Sequence, residues 1–147
     1  MNILFVCTGN TCRSPMAEGI LRDLGEKAGL DIQVKSAGIA TFNGGVAAKN
    51  SIEAMKDINI DISQHRTLKT TEELIEESDL ILTMGLSHKM NLILEYELEE
   101  NKVFTLLEYV NDREEDIKDP FGSDYDTYLG TRDEIYQAIQ LLVKKLK

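Results

Sequence analysis

Cysteine and proline are nearly absent from this chain: two of each occur in 147 residues. Both cysteines, Cys7 and Cys12, share one short stretch with one of the prolines, Pro15. So close a pair makes no disulfide framework, and in a reducing compartment a thiol near an arginine points to catalysis before architecture. Scarce proline, with 42% hydrophobic and 29% charged residues, is the composition of a folded chain and argues against disorder. Cations are the other shortage, since 16 Lys and Arg against 26 Asp and Glu leave a net charge of -10. That deficit argues against nucleic acid or anionic membranes as partners, because their phosphates are gripped by an excess of Lys and Arg. An anionic substrate must then be captured by a local site. No apolar run approaches the ~20 residues that cross a bilayer, and the amino terminus lacks the basic flank and long apolar stretch of a signal peptide. The expected setting is the cytoplasm. The expected organisation is one domain over residues 1–147, long enough to bury about two-thirds of its unfolded surface.

What is present alternates between strand and helix patterns. Asn2 to Val6 reads as a short buried strand, and Ser14-Pro15 as a cap followed by proline in the first helical turn. Ala17, Ile20, Leu21 and Leu24 share a helical face that Gly29 ends. Asp31 to Ser36 alternates like a strand, Gly38 to Gly45 reads as a loop, and Val46 to Ile58 returns to helical spacing. Asp79 to Met84 (DLILTM) is a second buried strand, Ser87 to Tyr96 a helix and Lys102 to Leu106 a last strand. Asn111 to Asp126 is acidic and holds the other proline, so it reads as an exposed loop; a terminal helix follows with Ile135, Ala138, Ile139, Leu142, Val143 and Leu146 on one face. This alternation predicts an α/β fold of three layers, a parallel sheet covered by helices on both faces.

In such sheets ligands bind beyond the carboxyl ends of strands, where the stretch Cys7 to Pro15 (CTGNTCRSP) lies. A loop from a strand end to a helix start presents backbone N–H groups to one point, and the helix dipole adds positive potential there. Gly9 allows an unusual backbone angle or a close ligand approach, and Arg13 offers a planar fork matched to two phosphate oxygens. The donors that would hold phosphate also favour a thiolate at Cys7, which lowers the pKa in such settings. The spacing of Cys7, five residues, Arg13 and Ser14 lets the loop curl so that Arg13 faces the sulfur and Ser14 hydrogen-bonds it. Chemistry of this kind needs neither metal nor cofactor.

The loop resembles that of the low-molecular-weight protein tyrosine phosphatase family: a cysteine, five residues, an arginine and a Ser or Thr near the amino terminus. The likeness extends to Ser36-Ala37-Gly38, His65, DLILTM and Asp119-Pro120-Phe121-Gly122, and so spans nearly the whole chain. It implies a four-stranded parallel sheet flanked by helices, with the phosphate loop after the first strand. It also implies that Cys7 is the nucleophile, Arg13 the phosphate and transition-state clamp and Asp119 the general acid. Residues Thr8, Gly9, Asn10, Thr11, Cys12, Arg13 and Ser14 would bind phosphate, and Asn10, Ser14, Ser36 and His65 would hold the loop in shape. The partners implied are phosphorylated proteins, with inorganic phosphate as product. Thr11 makes the loop similar to that of the bacterial protein arginine phosphatases, where tyrosine-directed members carry a bulkier aliphatic residue; Phe121 stands where those members have tyrosine. Phosphoarginine is therefore the expected substrate and phosphotyrosine the alternative.

Thioredoxin-coupled arsenate reductases share a similar loop but relay oxidation through later cysteines, and residues 14–147 contain none. Cys12 is read either as a partner for a reversible disulfide with Cys7 or as a small loop residue. A non-catalytic phosphate binder would not need both a thiol and an acid, and the Gly-Lys-Ser/Thr ending of a nucleotide loop is missing. Asp119 sits among Asp112, Glu114, Glu115, Asp116, Asp124 and Asp126, and only its pairing with Pro120 and the likeness single it out. His88 receives no role, Tyr125 and Tyr128 read as helix-start packing residues, and Lys35, Lys49 or Arg66 are expected at the site's rim.

Overall fold

The computed structural model describes residues 1–147. Its elements are β1 (Asn2–Cys7), α1 (Arg13–Lys27), β2 (Gln33–Gly38), α2 (Lys49–Lys56), α3 (Glu72–Glu77), β3 (Leu80–Thr83), α4 (Leu86–Tyr96), β4 (Val103–Thr105), α5 (Leu106–Asn111) and α6 (Tyr125–Leu146). The four strands form one parallel sheet in the order β2-β1-β3-β4. The chain runs outward from β1 to β2, then recrosses to β3 on the other side of β1. The crevice at the carboxyl end of β1 is thus the switch point of the sheet, where open α/β sheets take their ligands.

The apolar run of β1 is sorted by the two-residue period of a strand. Ile3, Phe5 and Cys7 join the core under α1 and α6, with Met16, Ile20, Ile135 and Ile139. Leu4 and Val6 face the other way, onto Leu74 and Ile75 of α3 and Leu92 of α4. A strand buried on both faces needs no polar side, which is why ILFV reads as an unbroken apolar run. Each fully buried Leu, Ile or Phe stabilises the fold by about 1.5–3 kcal/mol, so the sheet centre is the firmest platform available to the loop that leaves it.

Several expected boundaries move. Ser14 does not cap α1: the helix starts at Arg13 after Cys12, whose side chain makes no cap bond. The Ser14 hydroxyl is instead committed to Cys7 Sγ and the Asn10 side chain, at 2.8 Å each. Pro15 still falls in the first turn, where its missing N–H costs nothing. The second helix is shorter than Val46 to Ile58, because Val46 is drawn into a bridge with Arg66. Two short helices were not expected. In α3 the Thr71 side chain accepts from the Leu74 N–H, and in α5 Thr105 and Glu108 cap each other reciprocally. The terminal helix begins at Tyr125, with Asp124 accepting from the Thr127 N–H, well before its apolar stripe. No helix is long and apolar enough to cross a membrane.

Candidate active site

Cys7 ends β1 and is 2% exposed. Its Sγ lies 2.8 Å from Ser14 Oγ and 3.3 Å from the Asn10 backbone nitrogen, which donates to it. Five of the loop carbonyls are claimed by donors beyond the loop. Those of Cys7, Thr8, Thr11 and Cys12 accept from the N–H groups of Ile39, Ala40, Ala48 and Met16, and that of Asn10 accepts from His65 Nε2 at 2.8 Å. In a trans peptide the following N–H points opposite to the carbonyl, so the N–H groups of residues 8, 9, 11, 12 and 13 turn inward. The loop is therefore a ring of donors around one point, at the amino end of α1.

Loop shape depends on Asn10, whose φ of 58° is left-handed. Gly9, offered by the sequence for an unusual backbone angle or a close ligand approach, lines the cavity, and the unusual angle belongs to Asn10, a residue type that tolerates the left-handed region. Asn10 Nδ2 donates to Ser14 Oγ and Ser36 Oγ, and Asn10 Oδ1 accepts from the Leu68 N–H. Ser36 in turn donates to Glu18 Oε1 at 2.5 Å, and Glu18 lies 3.8 Å from His65 Nδ1. The expected supporting residues Asn10, Ser14, Ser36 and His65 are thus brought together. Glu18, which ties them to α1, was missed, because its partners Ser36 and His65 lie far along the chain. Gly38 was missed as well. A Cβ there would stand 2.6 Å from the Thr8 carbonyl oxygen, so only glycine lets β2 pass this close to the loop.

A cavity of about 200 Å³ opens above the sulfur, lined by Cys7, Thr8, Gly9, Thr11, Cys12, Arg13, Asp119 and Phe121. Five of the seven residues expected to hold phosphate line it. Asn10 and Ser14 do not; both are fully buried behind the loop, where their side chains serve its shape. Arg13 is 6% exposed, and its guanidinium donates to the Ile117 carbonyl at 2.9 Å and lies 3.6 Å from Asp119 Oδ2. The acid loop is held over the cavity by that contact, by the Ile117 N–H donating to the Met84 carbonyl and by Asp116 accepting from the Leu86 N–H. Asp119 itself accepts from the Phe121 N–H at 3.1 Å. Phe121 is 72% exposed and stands at the mouth.

The sequence implies a thiol pKa pulled only downward. The structure adds a stronger opposing influence: burial pushes the Cys7 thiol up, against lowering by the Ser14 hydroxyl and N–H, the Arg13 charge and the Asn10 N–H. Ionisation of the sulfur is a contest between desolvation and the loop's donors. Both cysteines are free, and Cys12 Sγ lies 3.5 Å from the hydroxyl of buried Tyr128. Tyr125 and Tyr128 pack at the start of α6 as expected, Tyr125 donating to the Glu53 carbonyl. Lys35 and Arg66 are not at the rim. They line a separate cavity of about 320 Å³ beside Glu18 and His65, behind the loop, and Lys49 lines neither. No three His, Cys, Asp or Glu side chains gather as a metal site.

Fold, loop and acid together describe a phosphatase of the cysteine-nucleophile class. The family described as low molecular weight phosphotyrosine protein phosphatase matches residues 2–147, and the chain belongs to it. It is 43% identical over 147 residues to a protein-arginine-phosphatase of Bacillus subtilis, covering 100% of this chain and 97% of the relative. It is 37% identical to the low molecular weight protein-tyrosine-phosphatase PtpB of Staphylococcus epidermidis, again covering 100% of this chain and 97% of the relative. The solved structure of YwlE arginine phosphatase, a mutant with a phosphorylated active-site serine, superposes with a TM-score of 0.96 at 42% identity, covering 99% of this chain and 95% of that one.

Proposed function

We propose that this protein removes phosphate from arginine side chains of proteins through a cysteinyl-phosphate intermediate. The observation that carries the reading is one cavity lined by a thiol, a guanidinium and a carboxylate, Cys7, Arg13 and Asp119, above a ring of inward N–H groups. Cys7 Sγ attacks phosphorus in line, the bond from phosphorus to the guanidine nitrogen breaks, and Asp119 delivers a proton to the departing nitrogen. Water then attacks the cysteinyl phosphate with Asp119 accepting its proton, which frees inorganic phosphate and the thiolate. Arg13 and the N–H groups of the loop stabilise the three equatorial oxygens in both steps. A cytoplasmic setting belongs to this proposal, since the nucleophile works only as a reduced thiol.

Substrate choice rests on Thr11 and Phe121, which line the cavity with Cys7, and on the likeness to arginine-directed relatives. A short hydroxyl side chain suits a planar, hydrogen-bonding guanidinium better than a bulky aliphatic one. Phosphotyrosine is the second reading, favoured by the tyrosine-directed relative above. Side-by-side hydrolysis of phosphoarginine and phosphotyrosine peptides, repeated with Thr11→Ile, tests the choice. The wild type should prefer phosphoarginine, and the exchange should move the ratio of kcat/KM values toward phosphotyrosine by about tenfold or more. A ratio indifferent to the exchange would refute the assignment to Thr11. Cys7→Ser separates enzyme from binder: turnover should vanish while phosphate binding persists.

A further inference from the structure

Two buried side-chain polar atoms have no hydrogen-bond partner, Ser51 Oγ and His88 Nδ1. The second bears on the cavity. His88 is 4% exposed in the first turn of α4, and its Nε2 lies 2.9 Å from Thr8 Oγ1. It is carried there by the sheet: Val6 pairs with Thr83, the Met84 N–H donates to the Val6 carbonyl, and α4 starts two residues later. Thr8 in turn lines the cavity beside Cys7, Arg13 and Asp119.

Two arrangements satisfy the contact. If Thr8 donates to Nε2, the imidazole proton sits on Nδ1, a buried N–H with no acceptor, which costs the desolvation of an unpaired donor. If Nε2–H donates to Thr8, Nδ1 carries only a lone pair and the Thr8 hydroxyl hydrogen is free to turn toward the cavity. An anionic oxygen in that cavity can only accept, so it selects the second arrangement. The doubly protonated ring is disfavoured by burial and by the nearby Arg13 charge, against opposing attraction from Asp116 and Asp119, which brings the His88 pKa down to about 4.

We infer that His88 is a positioning residue, whose neutral ring donates from Nε2 to Thr8 and thereby turns the Thr8 hydroxyl into a donor for a phosphoryl oxygen in the cavity. The inference rests on the reading of that cavity as the phosphoryl site. It assigns a task to a residue that the sequence leaves without one, and adds one side-chain donor to the ring of backbone N–H groups.

Two measurements test it. Histidine-selective NMR of the wild type with inorganic phosphate should find the His88 proton on Nε2 and Nδ1 bare; a proton on Nδ1 overturns the inference. With para-nitrophenyl phosphate, kcat/KM should fall by about tenfold in His88→Leu and in Thr8→Val, the size expected for one lost hydrogen bond to a charged group. The double variant should lose no more than either single one, and His88→Gln, which restores an N–H near the same place, should recover most of the loss. Unchanged kcat/KM in folded His88→Leu, or additive losses, overturns the inference. Should His88→Leu not fold, the tautomer measured in the wild type decides. A wild type that hydrolyses nothing would refute the phosphatase reading, and the tautomer would still judge His88 separately.

Discussion

At Cys7, reactivity is supplied by neighbours. Ser14 stands 2.8 Å from the sulfur and gives the largest of the influences that oppose burial. Removing its hydroxyl leaves desolvation less opposed, so Ser14→Ala should shift Cys7 ionisation to higher pH, read as the pH dependence of iodoacetamide alkylation. A profile that stays in place or moves to lower pH would contradict this account. Asp119 is different in kind, since its side chain is half exposed and held by Arg13 and the Phe121 N–H. Asp119→Asn should keep phosphate binding and lower kcat by about 10²–10⁴-fold, the usual worth of a proton donor. His88 carries a consequence for stability as well. Its pKa is lowered in the folded protein from 6.5 to about 4, so folding favours the neutral ring. Stability is lost as pH falls from about 6.5 toward 4, where the unfolded chain gains a proton that the folded one refuses. Denaturant unfolding at both ends of that window should show a smaller acid loss in His88→Gln than in the wild type.

At the level of elements, the loop is shaped by what surrounds it more than by its own residues. Gly38 of β2 is the clearest case, because a Cβ there meets the Thr8 carbonyl oxygen at 2.6 Å and the Asn10 nitrogen at 3.0 Å. Backbone cannot yield as a flexible side chain does, so Gly38→Ala should destabilise by roughly 1–3 kcal/mol and depress turnover together, measured by thermal melting and steady-state kinetics. Full stability with normal turnover would show that the loop tolerates displacement. The sequence made the loop and the sheet readable, because Cys7, Arg13 and Pro15 are scarce types at a fixed spacing and ILFV and DLILTM are apolar runs with clear ends. The supporting contacts were less readable. Glu18, Gly38 and Asp116 act through pairings between residues 18 or more apart, which no local pattern encodes. The two short helices did leave signals, since Thr71 is a capping residue type followed by Glu72 and Glu73, and Thr105 precedes Glu108 by three positions as in a capping box. They were overlooked because each helix spans only 6 residues, too few for an apolar period to appear. Burial of the thiol was invisible for another reason: a cysteine at a strand end looks alike whether its sulfur faces solvent or core.

Across the whole molecule, local capture works against a global field. The protein carries a net charge of -10, yet its cavity presents a ring of N–H groups and the Arg13 guanidinium. Lys35 and Arg66, expected at the rim, face the cavity behind the loop, so they do little to soften the approach of an anion from the front. At 0.01 M salt the field reaches about 30 Å, and at 0.15 M only about 8 Å, so added sodium chloride screens long-range repulsion far more than contacts inside the cavity. A phosphopeptide with acidic flanks should therefore gain kcat/KM, by about twofold or more, over that range of salt. The same peptide with basic flanks is drawn in by the field and should lose kcat/KM as the field is screened. Slopes of opposite sign for the two peptides, at unchanged kcat, would place the effect in encounter rather than chemistry. If both slopes are negative, attraction by Arg13 and the loop reaches beyond the cavity and governs approach, and net charge is irrelevant to which phosphoproteins the enzyme meets.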